Sequence, residues 1–210
     1  MKKVLFLIRS LEGGGAEKVL IDYLNGLVKD CCNNKMDITV LAEYNAGIYI
    51  NELPNEINYQ YIVKKPTLNK RRVVDRFFKV IPSFILRKLY INDNYDIEIS
   101  FMEGNQGKLI ACAPDSVKKI LWIHTDISKL EKTDFLNLKS EKRCYRSFDQ
   151  VICVSNIVNK NFVKKIDYHG NITTIYNPID KEKLIKKLEE LGAEFKGDNE
   201  QKRYVYDIIP

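Results

Sequence analysis

The sequence predicts an α/β fold, a Rossmann-like, doubly wound domain built on a mostly parallel sheet. Short apolar runs alternate with amphipathic helical patterns along most of the chain, which is typical of βαβ units. The first run, Val4 to Ile8, is apolar without a break, as in a strand that is buried on both faces. A composition of 45% hydrophobic and 30% charged residues over 210 residues supports a sizeable core and excludes a wholly disordered chain.

Seven strands and five helices are predicted in alternation. The strands lie near residues 3–8, 37–42, 58–63, 96–101, 119–124, 150–154 and 172–176. The helices lie at 15–29, 71–90, 105–112, 140–147 and 156–165. Pro82 is expected to break or kink the second of them. Beyond residue 180 a charged helical pattern leads through a loop-like stretch to an apolar end. We therefore predict a Rossmann-like domain at 1–180 and, at 181–210, a linker helix with the start of a further domain.

Three consecutive glycines, Gly13, Gly14 and Gly15, join the first strand to the first helix. Glycine permits positive φ and lets a bulky anion approach main-chain N–H groups without interference from a Cβ atom. The start of the helix adds unpaired N–H donors and the positive end of its dipole. The junction is therefore a predicted phosphate site. Because the dipole contributes only about 0.3–2 kcal/mol, other groups must help to hold a diphosphate.

Polar residues also follow the later strands. They form four groups, which are Glu103-Gly104-Asn105, His124-Thr125-Asp126, Ser155-Asn156 and Asn177-Pro178-Ile179-Asp180. Since parallel strands joined by right-handed crossovers bind ligands at their carboxyl ends, these groups belong to one edge of the predicted sheet. We expect that edge to carry the chemistry of the protein.

The cysteines and the apolar segments limit the class of protein. The five cysteines lack the spacing of a zinc site or a disulfide framework, and they are Cys31, Cys32, Cys112, Cys144 and Cys153. The N-terminal apolar run is too short for a secretory signal, and no segment approaches the roughly 20 apolar residues of a membrane span. We expect a cytoplasmic protein whose contact with a membrane, if it has one, is peripheral.

Basic residues are concentrated at residues 64–91. This stretch carries nine Lys and Arg side chains against Asp75 alone, a net charge of +8, although the whole chain has a net charge of +6. Two interpretations stay open: a solvated helix that covers the sheet, or a surface for an anionic membrane or an anionic glycan. Nucleic acid is not expected as a partner, because no nucleic-acid-binding signature accompanies the charge. The candidate surface residues are Lys70, Arg71, Arg72, Arg76 and Lys79.

Five short motifs resemble, in their order and separation, the N-terminal half of GT-B-fold, retaining glycosyltransferases of the group 1 (family 4) type. They are GGGAEKV, EGN, WIHTD, CVSN and IYNPID, and the resemblance spans about residues 1–180. It implies two Rossmann-like domains facing a cleft, with this chain as the acceptor side and the sugar nucleotide bound mostly by the second domain. In that family the second domain holds an Arg/Lys pair and two Glu residues that bind the donor. A chain ending at Pro210 cannot contain these groups, so we expect it to have little transfer activity alone.

The resemblance also implies roles for individual residues. Gly14 and Gly15 would bring backbone amides to the donor diphosphate, where they stabilise the charge that develops on the leaving group. His124 would lie beside the transferred sugar and the acceptor, where it positions and hydrogen-bonds them without acting as a general base. Glu103, Asn105 and Asp126 would line the acceptor pocket.

The implied partners are a nucleoside-diphosphate sugar and a glycan or glycolipid acceptor, such as a cell-surface polysaccharide. The nucleotide sugar is a co-substrate, and neither a cofactor nor a metal ion is expected. The implied location is the cytoplasm, with the inner face of the membrane as an alternative site of action.

Two other function classes stay open. A nicotinamide-dependent oxidoreductase also uses a strand, a glycine turn and a helix, but its third fingerprint glycine would fall at Lys18. A non-enzymatic module that binds glycans or anionic lipids would use only the basic stretch at 64–91.

Several side chains also have a purely structural interpretation. His124 could cap a helix or bond within the core, and Ser155 could either cap its helix or face the cleft. Glu17 is expected to complement the helix dipole rather than contact a ligand. Trp122 and Tyr176 lie within strand patterns and are expected in the core.

Overall fold

The computed structural model describes residues 1–30, 36–129, 138–178 and 190, and in it seven parallel strands form one sheet. Their order across the sheet is β3-β2-β1-β4-β5-β6-β7. The predicted Rossmann-like, doubly wound fold class is therefore confirmed. The strands are β1 (Lys2–Ile8), β2 (Met36–Tyr44), β3 (Asn58–Val63), β4 (Ile97–Ser100), β5 (Lys118–Ile123), β6 (Gln150–Cys153) and β7 (Ile172–Thr174).

Helices follow most of the strands. They are α1 (Gly15–Asp30), α2 (Leu68–Val80), α3 (Ser83–Tyr90), α4 (Asn105–Ala111), α5 (Leu138–Tyr145) and α6 (Asn156–Ile166). A short 3-10 helix, Ile48–Glu52, lies between β2 and β3. The sequence did not predict it, because five residues are too few to carry a helical period.

The helices cover both faces of the sheet. α1 packs on one face through Leu20 and Leu24, which lie in a cluster with Phe6 and Trp122. α2 to α6 pack on the opposite face, where each adds at least one buried side chain: Phe78, Leu86, Leu109, Tyr145 and Phe162. The side chains of β1 alternate between these two clusters, as in a strand that is buried on both sides.

One prediction about elements is confirmed and two are corrected. The helix predicted at 71–90 is broken at Pro82 as expected, because Ile81 is extended before the proline and two helices, α2 and α3, result. The seventh strand ends at Thr174, two residues earlier than predicted. Tyr176 therefore lies beyond the strand and is 47% exposed, so its predicted place in the core is wrong, whereas Trp122 is buried as predicted.

Some predictions fall on residues that the structure does not describe. These include the linker helix and the start of a further domain at 181–210, of which only Glu190 is described. Ile179, Asp180, Cys31 and Cys32 also lie outside the described residues, as does the side chain of Lys79. Of the described cysteines, Cys112, Cys144 and Cys153 form no disulfide.

The strand order fixes where a ligand crevice can form. The chain builds β2 and β3 on one side of β1, and then returns to build β4 to β7 on the other side. Leu7 of β1 thus has Leu41 of β2 and Ser100 of β4 as its register partners. In open α/β sheets the crevice lies outside the carboxyl ends of the strands where the order reverses. Here it lies after β1 and β4.

Candidate functional site

The glycine turn after β1 is open to solvent. Gly13, Gly14 and Gly15 are all exposed, and α1 begins at Gly15. Gly13 has φ +122°, a backbone conformation that other residues rarely adopt, whereas a Cβ atom on Gly15 would meet no atom within 4 Å. No hydrogen bond among the described residues uses the N–H groups of Gly14 or Gly15 as donors. The turn therefore presents unengaged donors at the start of a helix.

A glycine outside this turn, Gly47, packs against the backbone that leads into it. The Leu11 N–H donates to the Ala46 carbonyl at 2.9 Å, and the Tyr49 N–H donates to the Leu11 carbonyl at 3.2 Å. Gly47 has φ +135°, and a Cβ atom on it would overlap the backbone of Leu11 and Glu12. Sequence analysis missed this residue. Its only signal was a glycine shortly after a predicted strand, which is also common in ordinary turns.

Glu12, immediately before the glycine turn, is bound by α2. Both terminal nitrogens of Arg71 donate to the Glu12 carboxylate, with 2.8 Å between Nη1 and Oε2. The Arg71 guanidinium also lies 5.0 Å from the ring centroid of Tyr44. These hydrogen bonds are the main cause of a lowered pKa at Glu12. Arg71, one of the predicted surface residues, is thus partly exposed and paired with Glu12.

His124 follows β5 and rests on aromatic side chains. Its ring lies 4.9 Å from the Phe101 ring and stacks on Trp122 at 6.3 Å with an interplanar angle of 18°. The Nε2 atom is inaccessible to solvent and has no hydrogen-bond partner among the described residues. Burial lowers the pKa of His124 to about 4, so the imidazole is neutral at neutral pH.

Glu103 links the loops that follow β4 and β5. Its Oε1 accepts a hydrogen bond from the backbone N–H of Thr125, the residue after His124. Burial raises the pKa of this carboxyl, while the surrounding N–H donors lower it. Because one oxygen is used in this way, Glu103 is placed to hold the His124 loop. Its predicted contact with an acceptor stays a prediction.

The other two candidate acceptor residues differ in their surroundings. Asp126 accepts hydrogen bonds from Ser128 and, at 3.0 Å to each carboxylate oxygen, from Asn161 of α6. The Ser128 hydroxyl is the main cause of the lowered pKa of Asp126. Asn105 is half-buried at the start of α4, which Gly104 precedes with φ +100°. Of the two side chains, that of Asn105 has no hydrogen-bond partner among the described residues.

Glu43 is a buried carboxyl near the end of β2. Its Oε1 has no partner among the described residues, and burial raises the pKa of Glu43 to about 8. Arg9 lies close enough to oppose this increase, while Asp75 adds to it. The side chain is therefore mostly protonated at neutral pH.

The structural alternatives for two further residues are now decided. The Ser155 hydroxyl accepts from the Val158 N–H at 3.2 Å, which makes Ser155 the N-cap of α6. The Glu17 carboxylate lies against Gly14, in the first turn of α1, where negative charge complements the helix dipole.

These groups meet at one edge of the sheet. The Phe101 N–H donates to the Leu7 carbonyl of β1, and the Phe101 ring contacts His124 after β5. The glycine turn and His124 thus lie at the ends of strands that are separated only by β4. Within residues 1–30, 36–129 and 138–178, no group of three or more His, Cys, Asp or Glu could hold a metal ion. Nor does any helix in the described part have the length and apolar character needed to cross a bilayer.

Comparison with known proteins gives one family match. The model of Glycosyltransferase Family 4 matches residues 13–183, a range that begins in the glycine turn and covers most of the chain. A search of the curated proteins found no match.

Solved structures share the fold. Anabaena Alr3699/HepE in complex with UDP and glucose aligns with a TM-score of 0.52 at 18% identity, over 91% of this chain and 50% of that one. Its complex with UDP-glucose gives the same values. The apo form of the lipopolysaccharide outer core galactosyltransferase WaaB aligns with a TM-score of 0.55 at 14% identity, over 84% of this chain and 46% of that one. The chain thus spans about half the length of the structures that it matches.

Proposed function

Because this chain belongs to Glycosyltransferase Family 4, we propose that it is the acceptor-side half of a retaining glycosyltransferase. The whole enzyme moves a hexose or related sugar from a nucleoside-diphosphate sugar to a glycan or glycolipid acceptor. The solved structures support the donor class, since one is a complex with UDP and glucose and another a complex with UDP-glucose. Family membership favours this proposal over a nicotinamide-dependent oxidoreductase or a purely binding module.

One observation carries the proposal, the exposed glycine turn beside the point where the strand order reverses. Its N–H groups have no partner among the described residues, and it opens a helix of 16 residues. An anion at this position gains both hydrogen bonds and the favourable end of the helix dipole. A diphosphate fits these donors better than a neutral ligand does.

The proposed reaction breaks the bond between the anomeric carbon and the diphosphate oxygen. Negative charge grows on the leaving oxygen, and donors fixed in advance at the glycine turn stabilise it without reorganisation. The acceptor hydroxyl attacks the same face of the sugar, and its proton passes to the departing phosphate oxygen. No base from this chain is needed in that scheme.

His124 has a positioning role in the proposal. Since its pKa is lowered to about 4 by burial, the ring is neutral at neutral pH and can both donate and accept a hydrogen bond. A neutral imidazole bonded to a sugar hydroxyl orients the sugar without adding charge.

We assign acceptor contact first to Asn105, because its amide is not engaged by the described residues. Glu103 then acts mainly through the loop that carries His124, and Asp126 mainly through its bonds to Ser128 and Asn161. The proposed location is the cytoplasm, at the inner face of the membrane, where the exposed side chains of Lys70, Arg72 and Arg76 meet an anionic surface.

An amide-resolved NMR titration tests the proposal on the chain itself. We expect UDP to shift the amide signals of Gly14 and Gly15 at millimolar concentrations, and glucose alone to leave them unchanged. Substitution Gly15→Ala should weaken the UDP response while the spectrum of a folded protein is kept. Shifts confined to residues far from the turn would contradict the proposal.

A further inference from the structure

The outer faces of α2 and α3 are apolar. Val73, Phe77 and Val80 recur at positions i, i+4 and i+7, which lie on one face of a helix. Phe77 is 51% exposed and Val80 75% exposed, whereas Phe78 on the other side of α2 is buried in the core. α3 adds three more exposed apolar side chains, Phe84, Ile85 and Leu89. With Leu68 at the start of α2, seven large apolar side chains therefore face solvent on two consecutive helices.

Basic side chains border this apolar stripe. Arg72 and Arg76 each precede a stripe residue by one position, so they lie about 100° around the helix from it, along one margin. Lys70 lies along the other margin, and Lys88 lies among the apolar residues of α3. All four are exposed, and within the described residues none forms an ion pair. The outer face of α2 and α3 is therefore both apolar and cationic.

Three other charged side chains of these helices are paired within the protein. Asp75, the only acid in residues 64–91, lies 3.6 Å from Arg9 and accepts a hydrogen bond from Tyr44. Arg71 binds Glu12, and Arg87 binds the fully buried Glu98. Since the only acid and two of the arginines are paired with other side chains, the unpaired charges described on these helices, Lys70, Arg72, Arg76 and Lys88, all have the same sign.

These features decide between possible occupants of the face. A second copy of the chain would bring two cationic faces together, which opposes association. An anionic bilayer accepts both components at once, since its headgroups attract Lys and Arg while its acyl boundary accepts the apolar side chains. Charge complementarity therefore selects the bilayer.

We propose that α2 and α3 bind an anionic membrane, with Val73, Phe77, Val80 and Phe84 inserted at the headgroup boundary. This inference deepens the proposed function and rests on it only for the identity of the acceptor, which would be linked to lipid. The proposed membrane contact therefore includes insertion of apolar side chains as well as the attraction of basic side chains to anionic headgroups. Because Arg71 on the inner side of α2 holds Glu12, the docked helix also contacts the rim of the glycine turn.

Vesicle flotation of the 210-residue chain tests the proposal. We expect the chain to float with mixed phosphatidylglycerol and phosphatidylcholine vesicles but not with phosphatidylcholine alone. Arg72→Gln with Arg76→Gln should lower partitioning about 30-fold, and added salt should reduce the difference between these variants and the unmodified chain. Val73→Ser with Phe77→Ser and Val80→Ser should lower it about 100-fold at any salt concentration.

A matched control is Ile157→Ser on α6, which removes a side chain that is 69% exposed on another helix. This variant should float like the unmodified chain. Thermal unfolding should be unchanged for all variants, since every altered side chain is exposed. Equal flotation of the apolar variant and the unmodified chain would overturn the proposal, because it requires insertion.

Two further results would also overturn it. One is dimerisation in sedimentation velocity that Phe77→Ser abolishes, without any binding to vesicles. The other is binding of dextran sulfate by the chain without flotation on anionic vesicles, which would point to a soluble polyanion. A chain that floats but gives no amide shifts with UDP would contradict the proposed function alone. Amide shifts without flotation would contradict this inference alone.

Discussion

At the scale of single residues, the candidate site depends on backbone positions as much as on side chains. Gly13 and Gly47 have positive φ, and they fix the course of the turn that carries Gly14 and Gly15. The sequence identified the glycine turn because three glycines stand together between a strand and a helix. It could not identify Gly47, because the contact with Leu11 joins segments that are 36 positions apart and leaves no local pattern.

Substitution Gly47→Ala should destabilise the protein by about 2–4 kcal/mol, because the new Cβ overlaps the Leu11 backbone and the left-handed φ is strained. Urea unfolding measures this loss. The matched substitution Gly15→Ala adds a Cβ that meets no atom, so stability should be unchanged or rise by about 0.5–1 kcal/mol. Equal losses in the two variants would contradict the assigned difference between these glycines.

Glu43 makes stability depend on pH. Its pKa is raised from 4.5 to about 8 in the folded protein, so the unfolded chain releases its proton first as the pH rises. The buried neutral carboxyl therefore contributes stability that is fully present below pH 4.5 and is lost between pH 4.5 and 8.

Glu43→Gln should therefore stabilise the protein by about 2–4 kcal/mol at pH 8 and have little effect below pH 4.5. Urea denaturation at the two pH values measures the difference. Glu56→Gln, at an exposed position, serves as the control and should give the same stability as the unmodified chain at both. A gain that is equal at both pH values would argue against titration of Glu43.

At the scale of elements, the sequence was informative about strands and less so about helices. All seven strands were predicted within about two residues. The signal was clearest for β1, because a strand buried on both faces needs a continuous apolar run, whereas the edge strands β3 and β7 contain no buried residue. The stretch at 71–90 carried an equally clear helical period on both sides of Pro82. The helical period alone did not show the division into α2 and α3; Pro82 indicated it, and Ile81 is extended directly before that proline.

A buried ion pair fastens α3 to the sheet. The two terminal nitrogens of Arg87 donate to the two carboxylate oxygens of Glu98, each at 2.6 Å, and the Glu98 side chain is fully buried. Arg87→Met leaves that carboxylate without its partner and should cost about 3–5 kcal/mol. Thermal and urea unfolding measure the loss.

The double variant Arg87→Met with Glu98→Met removes both charges and should recover most of this stability. Arg72→Met, on the exposed side of α2, is the control and should change stability by less than about 0.5 kcal/mol. If the double variant were as unstable as Arg87→Met alone, packing around Arg87 would be the cause rather than the unpaired charge.

At the scale of the whole molecule, the sheet order determines which loops meet. The sequence predicted that Glu103, His124 and Asp126 share an edge with the glycine turn, since all of them follow strands of a parallel sheet. It could not show which of these groups bind protein partners, because Glu103 bonds to Thr125, 22 positions away, and Asp126 bonds to Asn161, 35 positions away. The location of the site was thus predictable from the sequence, while the hydrogen-bond partners of its individual residues were not.

Sugar transfer should require both lobes of the enzyme. We expect the 210-residue chain alone to give little product from a nucleotide sugar, and the chain joined to a second GT-B lobe to give measurable turnover. NMR of the product should then show that the anomeric configuration of the donor is retained. Comparable turnover by the chain alone, or inversion at the anomeric carbon, would contradict this expectation.

The stacking of His124 on Trp122 has a practical consequence. Trp122 is the only tryptophan in the sequence, and the centroid of its buried indole lies 6.3 Å from that of the His124 imidazole. Tryptophan fluorescence would thus come from a single buried position beside His124. Quenching of this fluorescence by a bound nucleotide sugar would measure binding without a label. The substitution His124→Ala should change the fluorescence of the unliganded protein, because it removes the ring that stacks on Trp122.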